Sequence, residues 1–186
     1  TRGAAPRTHD FPEKAVPAMM GFTKAMPRPT DKMANGIAAM TVPDIRWLRC
    51  DIKSLNLLPN VLAKQQAKEA GMQEAIFHRD GTVTECTSSN LMIVKDGVLR
   101  THPADHLILH GITRSVVLRL AESRGIPVRE VPFTLEELAA ADEVFITGTT
   151  VEIPPVVAVD GRAAGDGKPG PVTRKLQEAF EAAIPM

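Results

Sequence analysis

Two Asp-Gly dipeptides, Asp80-Gly81 and Asp96-Gly97, constrain the fold of this chain more than any other feature. Asp-Gly between apolar runs is typical of a tight β-hairpin, because both residues tolerate the positive φ that such turns need. Each dipeptide is flanked by runs that predict strands: 73–78 and 83–86 around the first, 90–95 and 98–102 around the second. We therefore expect two antiparallel hairpins in succession.

Helical signals alternate with these hairpins. Four segments carry a capping box, a following glycine or amphipathic spacing, and these are 57–70, 113–124, 134–137 and 172–183. Three further apolar runs predict strands, and these are 126–133, 144–147 and 156–159. Helices interspersed with hairpins indicate an α+β fold with a mixed or antiparallel sheet, in preference to a doubly wound parallel sheet.

The charge balance excludes some classes of function. The 186 residues carry 22 basic and 22 acidic side chains, so a protein that mainly grips nucleic acid or an anionic membrane is not expected, although a local basic site stays possible. No apolar run approaches the roughly 20 residues of a membrane span, and the first residues do not resemble a signal peptide. We expect a cytoplasmic protein. Its two cysteines predict neither a disulfide scaffold nor a structural metal site.

The first thirty residues differ in composition from the rest of the chain, because they contain five prolines. Residues 16–25 could form one strand, and the Pro-Arg-Pro run at 27–29 predicts a linker. We place a domain boundary near residue 28. The chain also begins without methionine, which suggests a processed or truncated piece.

Signatures of common nucleotide, zinc-protease and hydrolase sites are absent from the sequence, so weaker signals must serve. Lys53 lies in a short, mostly non-helical stretch that precedes a predicted helix. A lysine delivered into a partly apolar pocket becomes a nucleophile towards carbonyls, because desolvation lowers its pKa. The alternative is an ordinary solvated surface lysine.

The run His110-Gly111-Ile112-Thr113-Arg114 leads directly into a helix. Glycine allows close approach of the backbone, and the free N–H groups of Ile112 and Thr113 favour an anion or a phosphate. The alternative is that Thr113 merely caps the helix. A second turn, Thr147 to Thr150, could add phosphate donors through Gly148 and Thr149, or could be an ordinary turn.

Glu85 precedes a run of small polar residues that includes Ser88 and Ser89. A carboxylate there could keep a heterocyclic nitrogen protonated, although a solvated β-turn is the alternative. Near the start of the chain, Arg7 and His9 lie two residues apart. In an extended segment both would point to one face and could clamp a carboxylate, although a solvated basic loop remains open.

Together these segments resemble the fold-type IV class of pyridoxal-phosphate enzymes, the class IV aminotransferases, and most closely the D-amino acid aminotransferases. The resemblance covers essentially the whole chain in order. It rests on RWLRCDIKSLNLL at 46–58, VTECTSSN at 83–90, HGITR at 110–114, TGTTVEI at 147–153 and TRKLQEAF at 173–180.

The resemblance implies a role for each matching residue. Lys53 would form the Schiff base with pyridoxal 5′-phosphate and move the α-proton, and Glu85 would pair with the pyridine nitrogen. Arg7 and His9 would hold the substrate α-carboxylate. The remaining cofactor contacts implied by the family pattern are Ser88, Ser89, Leu109, Ile112, Thr113, Gly148 and Thr149.

The implied activity is transamination between a D-amino acid of the D-alanine or D-glutamate type and a 2-oxo acid. A branched-chain aminotransferase, an aminodeoxychorismate lyase and an inactive truncated fragment are the alternatives. The family also implies a homodimer. Residues 1–28 would be the remnant of a small N-terminal domain with its linker, and residues 29–186 the large cofactor-binding domain. A family tyrosine and a phosphate-binding arginine would lie in the missing part, and Gly148 stands where the family has a small hydroxyl residue.

Overall fold

The computed structural model of the chain describes residue 1 and residues 3–184. This part of the chain contains five helices interspersed among ten strands. The helices are α1 (Thr30–Asn35), α2 (Leu58–Glu69), α3 (Ile112–Ser123), α4 (Leu135–Ala139) and α5 (Pro171–Ala182). The strands are β1 (Ile37–Pro43), β2 (Glu74–Arg79), β3 (Thr82–Cys86), β4 (Asn90–Lys95), β5 (Val98–Thr101), β6 (Val128–Glu130), β7 (Phe133–Thr134), β8 (Glu143–Thr147), β9 (Val156–Val159) and β10 (Arg162–Ala163).

Both predicted hairpins are confirmed. β2 pairs antiparallel with β3, and β4 pairs antiparallel with β5. At the first turn Asp80 and Gly81 have φ of 47° and 81°, and at the second Asp96 and Gly97 have φ of 50° and 74°. These values match the turn in which both central residues need positive φ, so the Asp-Gly signal identified the correct backbone geometry.

The strands form two mixed sheets. The larger has the order β10-β9-β1-β2-β3-β7, and the smaller has the order β6-β5-β4-β8. β1 is parallel to both β2 and β9, and β5 is parallel to β6, whereas the other pairs are antiparallel. This mixed arrangement confirms the α+β fold.

Alternating side chains along the strands build four layers. On β4, Leu91 and Ile93 face a core shared between the two sheets, while Met92 and Val94 face a second core under α3 and α5. The larger sheet buries its outer face against α2, where Phe77 is fully buried. The period of two along a strand therefore lets each sheet contribute to two cores.

The N-terminus of α5 is held by a carboxylate from the smaller sheet. Glu143 on β8 accepts hydrogen bonds from the backbone N–H groups of Val172 and Thr173, both at 2.8 Å, and from Thr173 Oγ1 at 2.7 Å. An added Cβ at Gly170 would lie 2.1 Å from the Glu143 carboxyl carbon, so glycine there leaves room for this contact.

Two predicted strands are wrong. Residues 16–25 form no strand, because no strand of either sheet pairs with this stretch, and Val16, Met19 and Phe22 are exposed. The predicted strand 126–133 is divided into β6 and β7, because Pro132 interrupts it and has no backbone N–H to donate. β1 and α1 were not predicted. No helix of the described residues is long and apolar enough to cross a membrane.

Candidate active site

The candidate site lies at the seam where the chain passes from the larger sheet to the smaller one. β3 ends at Cys86, three residues follow, and β4 begins at Asn90. The link is tight, because the Cys86 N–H donates to the Ser89 carbonyl at 2.8 Å. This turn brings Asn90 Nδ2 within 3.0 Å of Glu85 Oε2.

Glu85 is buried, and both of its carboxylate oxygens are engaged. Oε1 accepts from Arg46 Nη1 at 2.5 Å, and Oε2 accepts from the Leu109 backbone N–H at 3.1 Å as well as from Asn90. Burial raises the pKa of Glu85 to about 7, and the positive charge and hydrogen bond of Arg46 oppose this rise. The carboxyl group therefore titrates within the physiological range.

Arg46 is held by a second buried carboxylate. Its Nε and Nη2 both donate to Asp44 at 2.9 Å, and its guanidinium lies 4.5 Å from the centre of the Phe77 ring. Arg79 Nε also lies 3.2 Å from Asp44. Burial acts to raise the pKa of Asp44, but its hydrogen bonds and charge interaction with Arg46 outweigh burial and leave that pKa below its usual value.

The N-terminus of α3 lies beside this cluster. Gly111 is the N-cap residue and supplies no side-chain cap, so helix geometry leaves the N–H groups of Ile112 and Thr113 without a partner in the helix. The interpretation of Thr113 as the cap is therefore wrong. A Cβ on Gly111 would lie 2.1 Å from Asn90 Oδ1, and Asn90 Nδ2 also donates to the Leu109 carbonyl at 2.8 Å. Only glycine fits here without displacing Asn90.

Buried hydroxyl groups lie at the ends of neighbouring strands in the smaller sheet. Asn90 is directly opposite Thr147 in the register of β4 and β8, and a Cβ on Gly148 would lie 3.5 Å from the Ser89 Cβ. Thr147 Oγ1 is buried with no hydrogen-bond partner among the described residues, and the Ser89 hydroxyl has only the Cys86 thiol beside it. Such unpaired buried hydroxyls fit a ligand that supplies acceptors, as a phosphate ester does.

Ser88 and Thr149 are exposed, and Leu109 is half-buried. The structure thus brings six predicted cofactor residues together near Glu85, and these are Ser88, Ser89, Leu109, Gly148 and, at the start of α3 after Gly111, Ile112 and Thr113.

Lys53 lies on the loop between β1 and α2, and its side chain is exposed. The root of this loop is fixed, because Arg79 Nη2 donates to the carbonyls of Arg46 and Trp47, and the Cys50 N–H donates to the His106 carbonyl. Within the described part of the chain, no hydrogen bond joins Lys53 to Glu85. The side chains of Ile45, Leu48 and Leu55 on this loop are also exposed.

Arg7 and His9 are exposed in an N-terminal arm without helices or strands. Among the residues that the structure describes, no ion pair joins either of them to the cluster around Glu85. The end of the arm is tied to the body, because Arg28 Nε and Nη2 donate to the Glu152 carboxylate at 2.8 and 2.7 Å. Glu152 in turn pairs through its backbone with Gly148.

Reasoning from the sequence missed Arg46 and Asp44. A usable signal was present, because the two charged residues lie two positions apart in an otherwise largely apolar run and would share one face of an extended segment. The arrangement as a whole offers a buried carboxylate at one end and helix N–H groups with hydroxyls at the other. It can hold a flat heterocycle that carries a ring cation and a phosphate.

Comparison with known proteins agrees with this geometry. The amino-transferase class IV family matches residues 1–159 of the chain, and the chain belongs to that family. It is 55% identical over 185 residues to a D-alanine aminotransferase of Staphylococcus haemolyticus, which covers 99% of this chain and 66% of that protein.

Solved structures of branched-chain aminotransferases share the fold. The Escherichia coli enzyme has a TM-score of 0.74 at 39% identity, covering 82% of this chain and 52% of that chain. The Thermobaculum terrenum enzyme, solved in its PLP-form, has a TM-score of 0.75 at 33% identity, covering 84% of this chain and 53% of that chain. The chain thus spans just under two thirds of the length of the D-alanine aminotransferase and about half of these two.

Proposed function

We propose that this chain carries the cofactor site of a pyridoxal-phosphate-dependent aminotransferase that exchanges the amino group of a D-amino acid with a 2-oxo acid. The observation that carries the proposal is Glu85, a buried carboxylate whose neighbours Leu109 and Asn90 connect it to the N-terminus of α3. Names of relatives support it, since the Staphylococcus haemolyticus protein is a D-alanine aminotransferase and the Thermobaculum terrenum structure is a PLP-form.

Each proposed cofactor residue would have a role that follows from its chemistry. Glu85 would accept a hydrogen bond from the protonated ring nitrogen, and the first N–H groups of α3 would bind the phosphate with the nearby hydroxyls. Lys53 would attach the cofactor through its Nζ and, once released, would carry the α-proton as a positioned base and acid. When bound, pyridoxal phosphate withdraws electrons from the substrate Cα. The proposed cofactor set is Lys53, Glu85, Ser88, Ser89, Leu109, Ile112, Thr113, Gly148 and Thr149.

Arg7 and His9 would bind the substrate α-carboxylate and so decide which enantiomer presents its α-hydrogen to Lys53. The substrate type is D-alanine or D-glutamate with the matching 2-oxo acids. A branched-chain L-amino acid is the second candidate, because both solved structures compared above are branched-chain aminotransferases. An aminodeoxychorismate lyase would instead release pyruvate without an amino acceptor.

Attachment of the cofactor is tested by incubating the chain with pyridoxal phosphate, reducing with borohydride and mapping the labelled peptide. We expect one label on Lys53 and none after Lys53→Ala. The matched control is Lys68→Ala, an exposed lysine on α2 that should keep the label on Lys53. Label scattered over several lysines in the unaltered chain would refute a specific site.

Substrate handedness is tested by half-reactions of the unreduced holoprotein with D-alanine, L-alanine and L-leucine, followed by the loss of cofactor absorbance. We expect faster loss with the D-form. Faster loss with L-leucine or L-alanine would favour the branched-chain alternative. No loss with any amino acid, despite label on Lys53, would indicate an inactive cofactor-binding fragment.

We also propose that residues 29–186 form the cofactor domain and that residues 1–28 belong to a second, smaller domain and its linker. Exposed apolar side chains on the arm and on the Lys53 loop support a further packed surface, and a homodimer of cytoplasmic location fits the family. Sedimentation of the holoprotein tests the dimer, and a rise in transamination on adding the N-terminal domain of a relative tests the domain assignment.

A further inference from the structure

Arg46 has no role in the function proposed above, yet it is among the most constrained side chains near Glu85. Its side chain is 6% exposed, and all three of its side-chain nitrogens donate hydrogen bonds. Nε and Nη2 make the two-point contact with Asp44, and Nη2 also lies 3.3 Å from the Leu107 carbonyl. This leaves Nη1 to point at Glu85 Oε1. The guanidinium cannot turn without losing the contact with Asp44.

We propose that Arg46 is a positioning residue that keeps the Glu85 carboxylate ionised and oriented, so that Glu85 can hold a protonated heterocyclic nitrogen. This inference rests on the proposed function, because it concerns the residue that holds Glu85 in the state needed to bind the cofactor ring. Without Arg46, Glu85 would keep only two neutral donors, Asn90 Nδ2 and the Leu109 N–H. A buried carboxyl group with neutral donors alone takes up a proton, and a protonated carboxyl no longer supplies the negative charge that favours a ring cation.

The charges around Glu85 are few and come from separate elements. Arg46 and Asp44 follow β1, and both act on the titration of Glu85 in opposite directions. The thiols of Cys50 on the Lys53 loop and Cys86 on β3 also lie within electrostatic reach of Glu85, and burial raises the pKa of each thiol. Both thiols are therefore neutral where Glu85 titrates. Among the residues that the structure describes, Arg46 is the cation that pairs with Glu85.

The planar fork of arginine suits this position better than lysine. One edge of the guanidinium binds both oxygens of Asp44 while Nη1 reaches Glu85, and its face stacks on Phe77. A lysine ammonium would keep the charge but could not hold both carboxylates in a fixed geometry. A conservative variant therefore separates the effect of charge from the effect of orientation.

The experiment measures the pKa of Glu85 by carboxyl ¹³C NMR in the full chain before any cofactor is added. We expect Arg46→Met to raise this pKa by about one pH unit or more. Arg46→Lys should raise it less. Arg79→Lys is the matched control, because Arg79 contacts Asp44 but not Glu85, and it should leave the pKa of Glu85 near that of the unaltered chain. An unchanged pKa in Arg46→Met, or an equal rise in Arg79→Lys, would overturn the proposal.

If Arg46→Met does not fold, Arg46→Gln decides, because glutamine is polar but has no charge, and an unchanged pKa in that variant overturns the proposal. A second readout uses ¹⁵N-labelled pyridoxal phosphate, whose ring-nitrogen shift should move towards the neutral form in Arg46→Met. In a Glu85→Gln background the same change at Arg46 should leave this shift unaltered. Failure of cofactor attachment at Lys53 would refute the proposed function, while the carboxyl NMR would still test Arg46.

Discussion

Replacing Glu143 by alanine should release the N-terminus of α5 and destabilise the whole chain. The Glu143 carboxylate satisfies two of the helix's free N–H groups and the hydroxyl of Thr173, which is fully buried. Loss of a helix cap costs about 1 kcal/mol, and leaving a buried hydroxyl without its partner costs about 1–3 kcal/mol. We therefore expect the free energy of unfolding to fall by about 3 kcal/mol.

The assay is urea unfolding followed by far-UV circular dichroism. Glu178→Ala is the matched control, because Glu178 is an exposed glutamate on the same helix, and it should change the free energy by less than about 0.5 kcal/mol. Gly170→Ala gives an independent check. Its backbone φ of −80° accepts alanine, so any loss of stability there comes from the contact between the new Cβ and Glu143. Equal stabilities of Glu143→Ala and Glu178→Ala would refute the reasoning.

Three further predictions concern the site and the arm. Glu85 binds its proton more tightly in the folded chain than in the unfolded one, because burial raises its pKa from 4.5 to about 7. Its contribution should therefore lower stability as pH rises from about 4.5 to about 7, by about 3 kcal/mol. Urea titrations at pH 5 and pH 8 check this against Glu85→Gln, and identical pH slopes would contradict it. Gly111→Ala should cost about 1–3 kcal/mol and weaken pyridoxal-phosphate binding, because its Cβ displaces Asn90. Gly21→Ala, with open space around it, should cost far less, and equal losses in the same titration would count against the steric argument. Arg28→Met should leave the free energy of unfolding almost unchanged, because the ion pair of the 41% exposed Arg28 side chain is screened by water, yet it should speed chymotryptic cleavage within residues 1–28. An unchanged cleavage rate would show that this ion pair does not restrain the arm.

Structure encoded by neighbouring residues could be predicted from the sequence. The Asp-Gly turns, the glycine stops of α2 and α3 and the capping box of Thr134 and Glu137 each depend on backbone chemistry within four residues, and all are present. Most of the candidate cofactor residues could also be named, because they lie in short runs with special turns. Glu85 and Asn90, for example, lie only five positions apart.

Structure that depends on distant partners could not be predicted. β1 lies between β2 and β9, whose residues are more than thirty and more than one hundred positions away, and no local turn marks it. Arg46 and Glu85 are 39 residues apart, so nothing in either local sequence shows that they meet. The predicted strand at 16–25 fails for the same reason, since an apolar run becomes a strand only when another strand offers it hydrogen bonds.

The short connection from β3 to β4 places the candidate site across the boundary between the two sheets. Glu85 belongs to one sheet, while Asn90 and Thr147 belong to the other, and only three residues connect β3 with β4. A ligand that contacts both sides of this connection acts as a brace between the two sheets, and its binding energy adds to their adhesion. The amide hydrogens of β3 and β4 should therefore exchange more slowly when the chain is saturated with pyridoxal phosphate. The exchange rates of α2, on the far side of the larger sheet, should not change.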